Sequence, residues 1–391
     1  MCSNQAVFLT LPHLVKVAIP KERAPEERRV ALVPDTAAKL VAAKLEVSVE
    51  SGAGSSAFLP DAAYEAAGVK VVEGAEALLR DADAVLKVQP PAANEVGLLK
   101  SGSVLISFLQ PATQGDIVKA LAKRGVTAFS LELLPRISRA QSMDALSSQA
   151  SAAGYKAVLM AASRLGKFFP MMMTAAGTVA PARVLVMGAG VAGLQAIATA
   201  RRLGAVVSAY DVRPAVKEEV SSLGATFIEL ALESQAGEGG YAREQSEEFL
   251  RKQRELIGEH VAKSDVVITT AAIPGRRAPL LVTGDMVKGM RPGSVIVDLA
   301  AETGGNVELT QAGNEIEVGG VTIVGTRNVP STMPLATSQL YARNVVNLLL
   351  HLVKDGAIAL DFEDEITKGS CVTHGGEIVN ERAKQLLAAA K

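Results

Sequence analysis

The stretch Arg183-Val-Leu-Val-Met-Gly-Ala-Gly-Val-Ala-Gly-Leu-Gln-Ala-Ile-Ala-Thr-Ala-Arg201 constrains the fold more than any other part of the chain. Its first residues are apolar and suit a strand buried on both faces; its last are Ala-rich and suit a helix. Three glycines at the spacing GxGxxG join them. A strand that turns directly into a helix in this way belongs to a doubly wound α/β sheet, and the helix N-terminus is a seat for phosphate. Gly188 would make the turn, Gly190 would let the backbone approach a pyrophosphate, and Gly193 would let the helix pack close to its strand. Asp211 follows the next strand-like run, Ala205 to Tyr210. Its carboxylate is placed to take ribose hydroxyls and repels a 2′-phosphate, so the sequence predicts NAD(H) over NADP(H). Arg213 is discordant, because an arginine at this place can accommodate that phosphate.

A glycine motif alone is weak. Gly52-Ala-Gly-Ser-Ser-Ala57 also follows a strand-like run, but Pro60 comes soon after and no long helical pattern opens, so it reads as a loop. The chain of 391 residues is long enough for two domains. Forty basic and forty-one acidic residues, no Trp and five Tyr give no footprint for nucleic acid. The two cysteines, Cys2 and Cys371, have no metal spacing and fit a reducing compartment. No metal is expected. The uncharged runs Phe168 to Ala182 and Val184 to Ala200 contain Pro170, Pro181 and the glycine turn, so neither offers a continuous membrane-spanning helix. The N-terminal apolar run lacks a basic region before it and a cleavage site after it, so the chain is expected in the cytoplasm.

Short β-branched runs alternate with Ala-rich ones from Val15 to Leu131, and a second such series runs from Arg183 to Val324. This alternation predicts an α/β protein of two Rossmann-like domains with mostly parallel, doubly wound sheets joined by long helices. The stretch Ile137 to Leu165 reads as one unbroken helix between them. The apolar helix Ala336 to Val353 returns to the first domain, because the C-terminal remnant is too short for a core of its own. The expected domains are therefore 1–138 plus 329–391, and 139–328. Glu233 to Glu248 is a long glycine-rich, charged segment whose one aromatic is Tyr241. It reads equally as a solvated loop or as a lid over a nucleotide.

Lys21-Glu, Arg29-Val-Ala-Leu-Val-Pro34, Val85-Leu-Lys-Val88, Pro135-Arg-Ile-Ser-Arg-Ala-Gln-Ser-Met-Asp144 and the glycine motif together resemble the alanine dehydrogenase and nicotinamide nucleotide transhydrogenase family over nearly the whole chain. The resemblance is nearest to its soluble NAD(H)-binding transhydrogenase branch. It implies a homodimer that binds NAD(H) and works with two partners, a membrane-spanning transhydrogenase subunit and an NADP(H)-binding subunit. It also implies peripheral association with the inner membrane through those partners. By the same resemblance, the segment with Arg136, Ile137 and Ser138 lies at the nicotinamide end. Asp144 and Ser147 would anchor the ring or its neighbours, Arg136 would pair with Asp144, and Gln141 would help hold two nucleotides together. Gln141, Asp144 and Ser147, at three-residue steps, are expected on one helix face. Gly190, Val191 and Ala192 would line the pyrophosphate, and Asp211, Val212 and Arg213 would surround the adenosine ribose. Gly240, Tyr241 and Gln253 would come from the long segment and the residues just after it, and Ala272 from the end of the strand Val266 to Thr270.

The two branches of that family need different chemistry. Oxidising an amino acid requires a general acid/base as well as hydride transfer, whereas passing hydride between nicotinamides moves no substrate proton. Where the dehydrogenase branch has a histidine after Tyr-Leu, this chain reads Phe108-Leu109-Gln110, and at its active-site aspartate this chain has Glu302. Arg29 and Lys87, which would bind a substrate carboxylate and carbonyl in that branch, are retained; ion pairs with nearby glutamates account for them equally well. The expected function is hydride transfer from NADH to NADP⁺ on a partner, coupled to proton translocation. Alanine dehydrogenase is the alternative, and an NAD(H)-binding regulatory protein a third reading.

Overall fold

The computed structural model describes residues 14–229, 247–272 and 277–389. They form two compact units, one built from the chain up to Leu146 together with Met333 onward, the other from Ser147 to Thr332.

Unit one begins with six strands: β1 (Lys16–Ile19), β2 (Glu46–Glu50), β3 (Lys70–Val72), β4 (Ala84–Leu86), β5 (Val104–Ser107) and β6 (Thr127–Ser130). Unit two carries a hairpin, β7 (Met172–Thr174) and β8 (Gly177–Val179), and then β9 (Arg183–Met187), β10 (Val206–Tyr210), β11 (Thr226–Phe227), β12 (Val266–Thr269), β13 (Val295–Asp298), β14 (Glu315–Val318) and β15 (Val321–Val324). The chain then returns to unit one with β16 (Val353–Lys354), β17 (Ala357–Ile358), β18 (Cys371–His374) and β19 (Glu377–Ile378).

The sheet of unit one has the order β19-β18-β6-β5-β4-β1-β2-β3, and that of unit two β11-β10-β9-β12-β13-β15-β14. Pairing is parallel except at β6/β18, β18/β19 and β14/β15. Both sheets are thus α/β and mostly parallel, and both start in the middle: β1 lies between β2 and β4, and β9 between β10 and β12. Strand order reverses at these points, where the carboxyl ends of neighbouring strands open a crevice.

Side chains alternate between two cores in each unit. In unit one, Val17, Ile19, Val49, Leu86 and Ile106 face Tyr341, Val345 and Leu348 of the helix Pro334–His351. Ala18, Val85, Leu105 and Ala128 face the opposite layer with Leu79, Val118 and Leu121. In unit two, Val184, Val186, Val207 and Ile268 pack on Ala157, Val158, Ala196 and Ile197, while Leu185, Met187, Val267 and Ile296 pack on Ile257 and Val261. The strands read as apolar runs because both faces are covered.

The structure corrects one element. The stretch from Ile137 to Leu165 is not one helix: Ser138–Met143 is a 3-10 helix, Asp144 leaves helical geometry at φ −72 and ψ 86, and Ala145–Arg164 is the α-helix. Gln141, Asp144 and Ser147 therefore do not share one helix face. Aspartate competes for backbone donors and favours helix starts over interiors, which fits the break at Asp144.

Candidate functional site

The turn after β9 is held by contacts that explain two of its glycines. Gly188 has φ 101, and a Cβ there would lie 2.6 Å from Thr270 Oγ1. A Cβ on Gly193 would lie 1.8 Å from the Gly188 carbonyl oxygen, so the helix Val191–Arg202 comes this close only because position 193 has no side chain. Gly190 is different. A Cβ there would meet no protein atom within 4 Å, so the protein's own packing does not require glycine, whereas a ligand lying on the backbone would. No side chain caps this helix; its first N–H groups, at Val191 and Ala192, are in the position that binds anions in other helices. Val191 is 44 % exposed. These features fit a dinucleotide's pyrophosphate.

Asp211 stands just past β10. Its Oδ2 accepts from the Ala189 amide at 2.7 Å and from Arg213 Nη2 at 2.9 Å. Its Oδ1 accepts from the Arg213 amide at 2.8 Å and from Arg213 Nε at 2.9 Å. Burial pushes the Asp211 carboxyl up, but the hydrogen bonds from Arg213 and Ala189 outweigh it and leave it below the ordinary aspartate range. Val212 between them is exposed.

Neighbouring loops brace the turn. Thr270 Oγ1 donates to the Gly188 carbonyl at 3.0 Å. The Ala271 amide donates to Asn306 Oδ1 at 3.0 Å, and Asn306 Nδ2 donates to the carbonyls of Ala271 and Pro279, both at 2.8 Å. Asn306 is held in turn by buried Asp298, which accepts from its amide at 2.9 Å. This leaves Ala272 exposed at the end of the loop after β12. Sequence reasoning missed Thr270, Asp298 and Asn306. It also missed Gly154, where a Cβ would lie 2.0 Å from the Ala192 carbonyl oxygen. The signal for Gly154 was a lone glycine within a helical pattern.

In unit one, the segment after β6 is pinned from below. Ala140 and Met143 are buried, and the Ser142 carbonyl accepts from Asn344 Nδ2 at 2.9 Å and Asn347 Nδ2 at 3.0 Å. Arg136, Ser138 and Gln141 are exposed, while Ile137 and Asp144 are partly buried. Among the described residues Arg136 makes no ion pair; the charged contact here joins Arg139 to Asp364 at 2.8 Å. The expected pairing of Arg136 with Asp144 is not formed. Ser147 lies in the first turns of Ala145–Arg164 and belongs to unit two. Gly240 and Tyr241 lie outside the described residues, as does most of the long glycine-rich segment. Gln253 falls on the helix Glu247–Ala262.

The carboxyl ends of β1 and β4 carry a buried charged cluster. Lys87 Nζ is 3.3 Å from Glu22 Oε2 and 3.3 Å from Glu95 Oε2. Arg29 donates from Nε and Nη2 to the Glu27 carboxylate at 2.8 and 2.7 Å. Gln89 Nε2 donates to Glu27 at 2.7 Å, and Gln110 Nε2 donates to Gln89 Oε1 at 3.0 Å. Burial pushes the Glu22 carboxyl up against the opposing effect of Lys87. Burial also opposes ionisation of Glu27, but the Arg29 hydrogen bonds win and bring it down to about 2.

The sequence profile of the alanine dehydrogenase/PNT N-terminal domain matches residues 18–153, and that of the C-terminal domain residues 157–381. The chain belongs to the alanine dehydrogenase/PNT family. Among its relatives within that family, the first segment of the NAD(P) transhydrogenase alpha subunit of Rhodospirillum rubrum is 52 % identical over 376 residues, covering 94 % of this chain and 98 % of that one. Alanine dehydrogenase of Bacillus subtilis is 28 % identical over 375 residues, covering 93 % of each. The crystal structure of transhydrogenase from Sinorhizobium meliloti is similar with a TM-score of 0.83 at 48 % identity, covering 94 % of this chain and 99 % of that one.

Two positions separate the branches of the alanine dehydrogenase/PNT family. Gln110, where the dehydrogenase branch carries its histidine, has φ 48, and its amide donates to Glu132 Oε1 at 2.9 Å. A carboxamide has no proton to exchange near neutral pH, so the Gln110–Gln89–Glu27 chain does not supply a general acid/base. Glu302 is exposed and accepts from the Asn328 amide at 3.2 Å.

Proposed function

We propose that this chain is the NAD(H)-binding component of a proton-translocating transhydrogenase. In this reading bound NADH supplies the hydride, which passes directly to NADP⁺ on a separate subunit, and a membrane-spanning partner couples that transfer to proton movement. The observation that carries the reading is 52 % identity to the Rhodospirillum rubrum transhydrogenase alpha chain over nearly the full length of both chains. The amide at Gln110 supports it, since hydride transfer between nicotinamides needs positioning without a protonic group.

The chain's own residues would act as follows. The amides from Gly190 to Ala192 hold the pyrophosphate at the helix N-terminus, with Gly188 and Gly193 shaping the turn. Asp211 accepts the adenosine ribose hydroxyls, with Val212 and Arg213 beside them. Ala272, Gly240, Tyr241 and Gln253 complete the binding surface. Arg136, Ile137, Ser138, Asp144 and Ser147 orient the nicotinamide, and Gln141 holds donor and acceptor together. The protein would work as a homodimer, attached to the inner membrane peripherally through its partners. No helix among the described residues is long and apolar enough to cross a membrane.

The second reading, alanine dehydrogenase, draws on the retained Arg29 and Lys87. Both are engaged by glutamates of the same unit. The test is NADH consumption by the purified chain, once with pyruvate and ammonia and once with an NADP(H)-binding transhydrogenase component and an NADP⁺ analogue. Turnover in the second assay alone is expected. Turnover with pyruvate and ammonia would overturn the reading, and silence in both with tight NADH binding would favour a regulatory protein. In the second assay, Gln141→Asn is expected to slow hydride transfer about tenfold or more while NADH affinity holds.

A further inference from the structure

Asp211 is saturated. A carboxylate offers about four lone-pair directions, and four donors occupy them here: the amides of Ala189 and Arg213, and Nε and Nη2 of the Arg213 guanidinium. The Asp211 side chain is only 6 % exposed, while that of Arg213 is 58 % exposed. Two ribose hydroxyls can reach this carboxylate by replacing the two guanidinium donors one for one, leaving both backbone bonds in place.

The same geometry bears on nucleotide choice. A guanidinium fork binds carboxylate and phosphate by the same bidentate geometry, so Arg213 carries the chemistry to hold a 2′-phosphate. It is instead committed to the acid two residues before it. We propose that Arg213 is a 2′-phosphate ligand held out of use by Asp211. One carboxylate then sets the preference for NAD(H) twice, by accepting the ribose hydroxyls and by occupying the arginine that would reward a phosphate in their place. The arginine at this position is compatible with NAD(H) selection because its partner is part of the same turn.

This inference rests on the reading of unit two as an NAD(H) site, and a double-mutant cycle separates the two. NADPH and NADH binding are titrated by nucleotide fluorescence for the unaltered protein, Asp211→Ser, Arg213→Ala and the double variant. Serine keeps an acceptor for the Ala189 amide, and a thermal melt of each variant reports folding. Asp211→Ser is expected to weaken NADH and to tighten NADPH about tenfold or more, with the NADPH gain falling as salt is raised. The double variant is expected to lose that gain. If the double variant binds NADPH as tightly as Asp211→Ser, removal of like-charge repulsion accounts for the gain and the inference fails. It fails equally if folded Asp211→Ser gains no NADPH affinity. If the unaltered protein binds NADPH as well as NADH, the reading of the site itself fails.

Discussion

The two units use one strand order for opposite ends. At the carboxyl ends of β1 and β4, unit one places Glu22, Lys87 and Glu95 and, close by, Glu27 and Arg29, which satisfy one another. At the carboxyl ends of β9 and β12, unit two places glycines, a hydroxyl from Thr270 and a helix start that no side chain caps. The first crest is closed by its own charges; the second leaves backbone donors directed outward. Doubly wound topology supplies the crevice, and local side chains decide whether the protein or a ligand fills it. The decoy glycine run fits this contrast. Gly52 follows β2, a flanking strand, and leads into the short 3-10 turn Ser55–Ala57, so it never opens a helix at the point where the order reverses.

The largest effect should come from breaking the closed crest. Lys87→Ala leaves two carboxyls in a buried site without their ammonium and is expected to cost about 3–5 kcal/mol, read as a lowered urea midpoint. In protein that remains folded, NADH affinity should be unchanged; a variant as stable as the parent would show that the cluster is not closed by charge.

Acid should act on the same crest. Glu27 is held at about 2 in the fold against its ordinary 4.5, so its contribution to stability is fully present above pH 4.5 and is lost as the pH falls toward 2. The shift corresponds to about 3 kcal/mol at most. Glu22 runs the other way, since a raised carboxyl favours the folded state as pH falls. Glu27→Gln should therefore flatten the fall in stability between pH 4.5 and 2. An unchanged slope would assign acid sensitivity elsewhere.

The smallest effect on stability should come from the open crest. Gly190→Ala adds a methyl that meets no protein atom within 4 Å at an ordinary φ of −82, so unfolding free energy should move by less than about 0.5 kcal/mol. NADH affinity should fall about tenfold, because the methyl stands where the pyrophosphate would lie. Equal NADH binding by this variant would mean that the backbone approach occurs elsewhere.

Much of this was legible from residues alone. The glycine turn, its flanking strand and helix and Asp211 are local, so periodicity and spacing reveal them. Less legible was the stretch from Ser138 to Ser147. Its small and polar residues satisfy a helical pattern, but the backbone leaves the helix at Asp144, and periodicity carries no term for a side chain's competition with the ladder. The residues after β6 gained their place in the site from the family resemblance, because exposed polar side chains on a short 3-10 turn have no periodic signature.

Residue order was enough to specify two mostly parallel α/β sheets, the phosphate-binding turn in the second and the absence of the dehydrogenase histidine at Gln110. It took the folded chain to show that Lys87 meets Glu22 and Glu95, that Asn306 and Asp298 brace the loop after β12, and that Gly154 must be bare to pass Ala192. The same holds for the seating of Arg213 on Asp211. Reach accounts for the division. Strand, turn and helix preferences are set within a few residues, whereas a buried charge or a close backbone contact takes its partner from whichever strand the sheet order brings beside it.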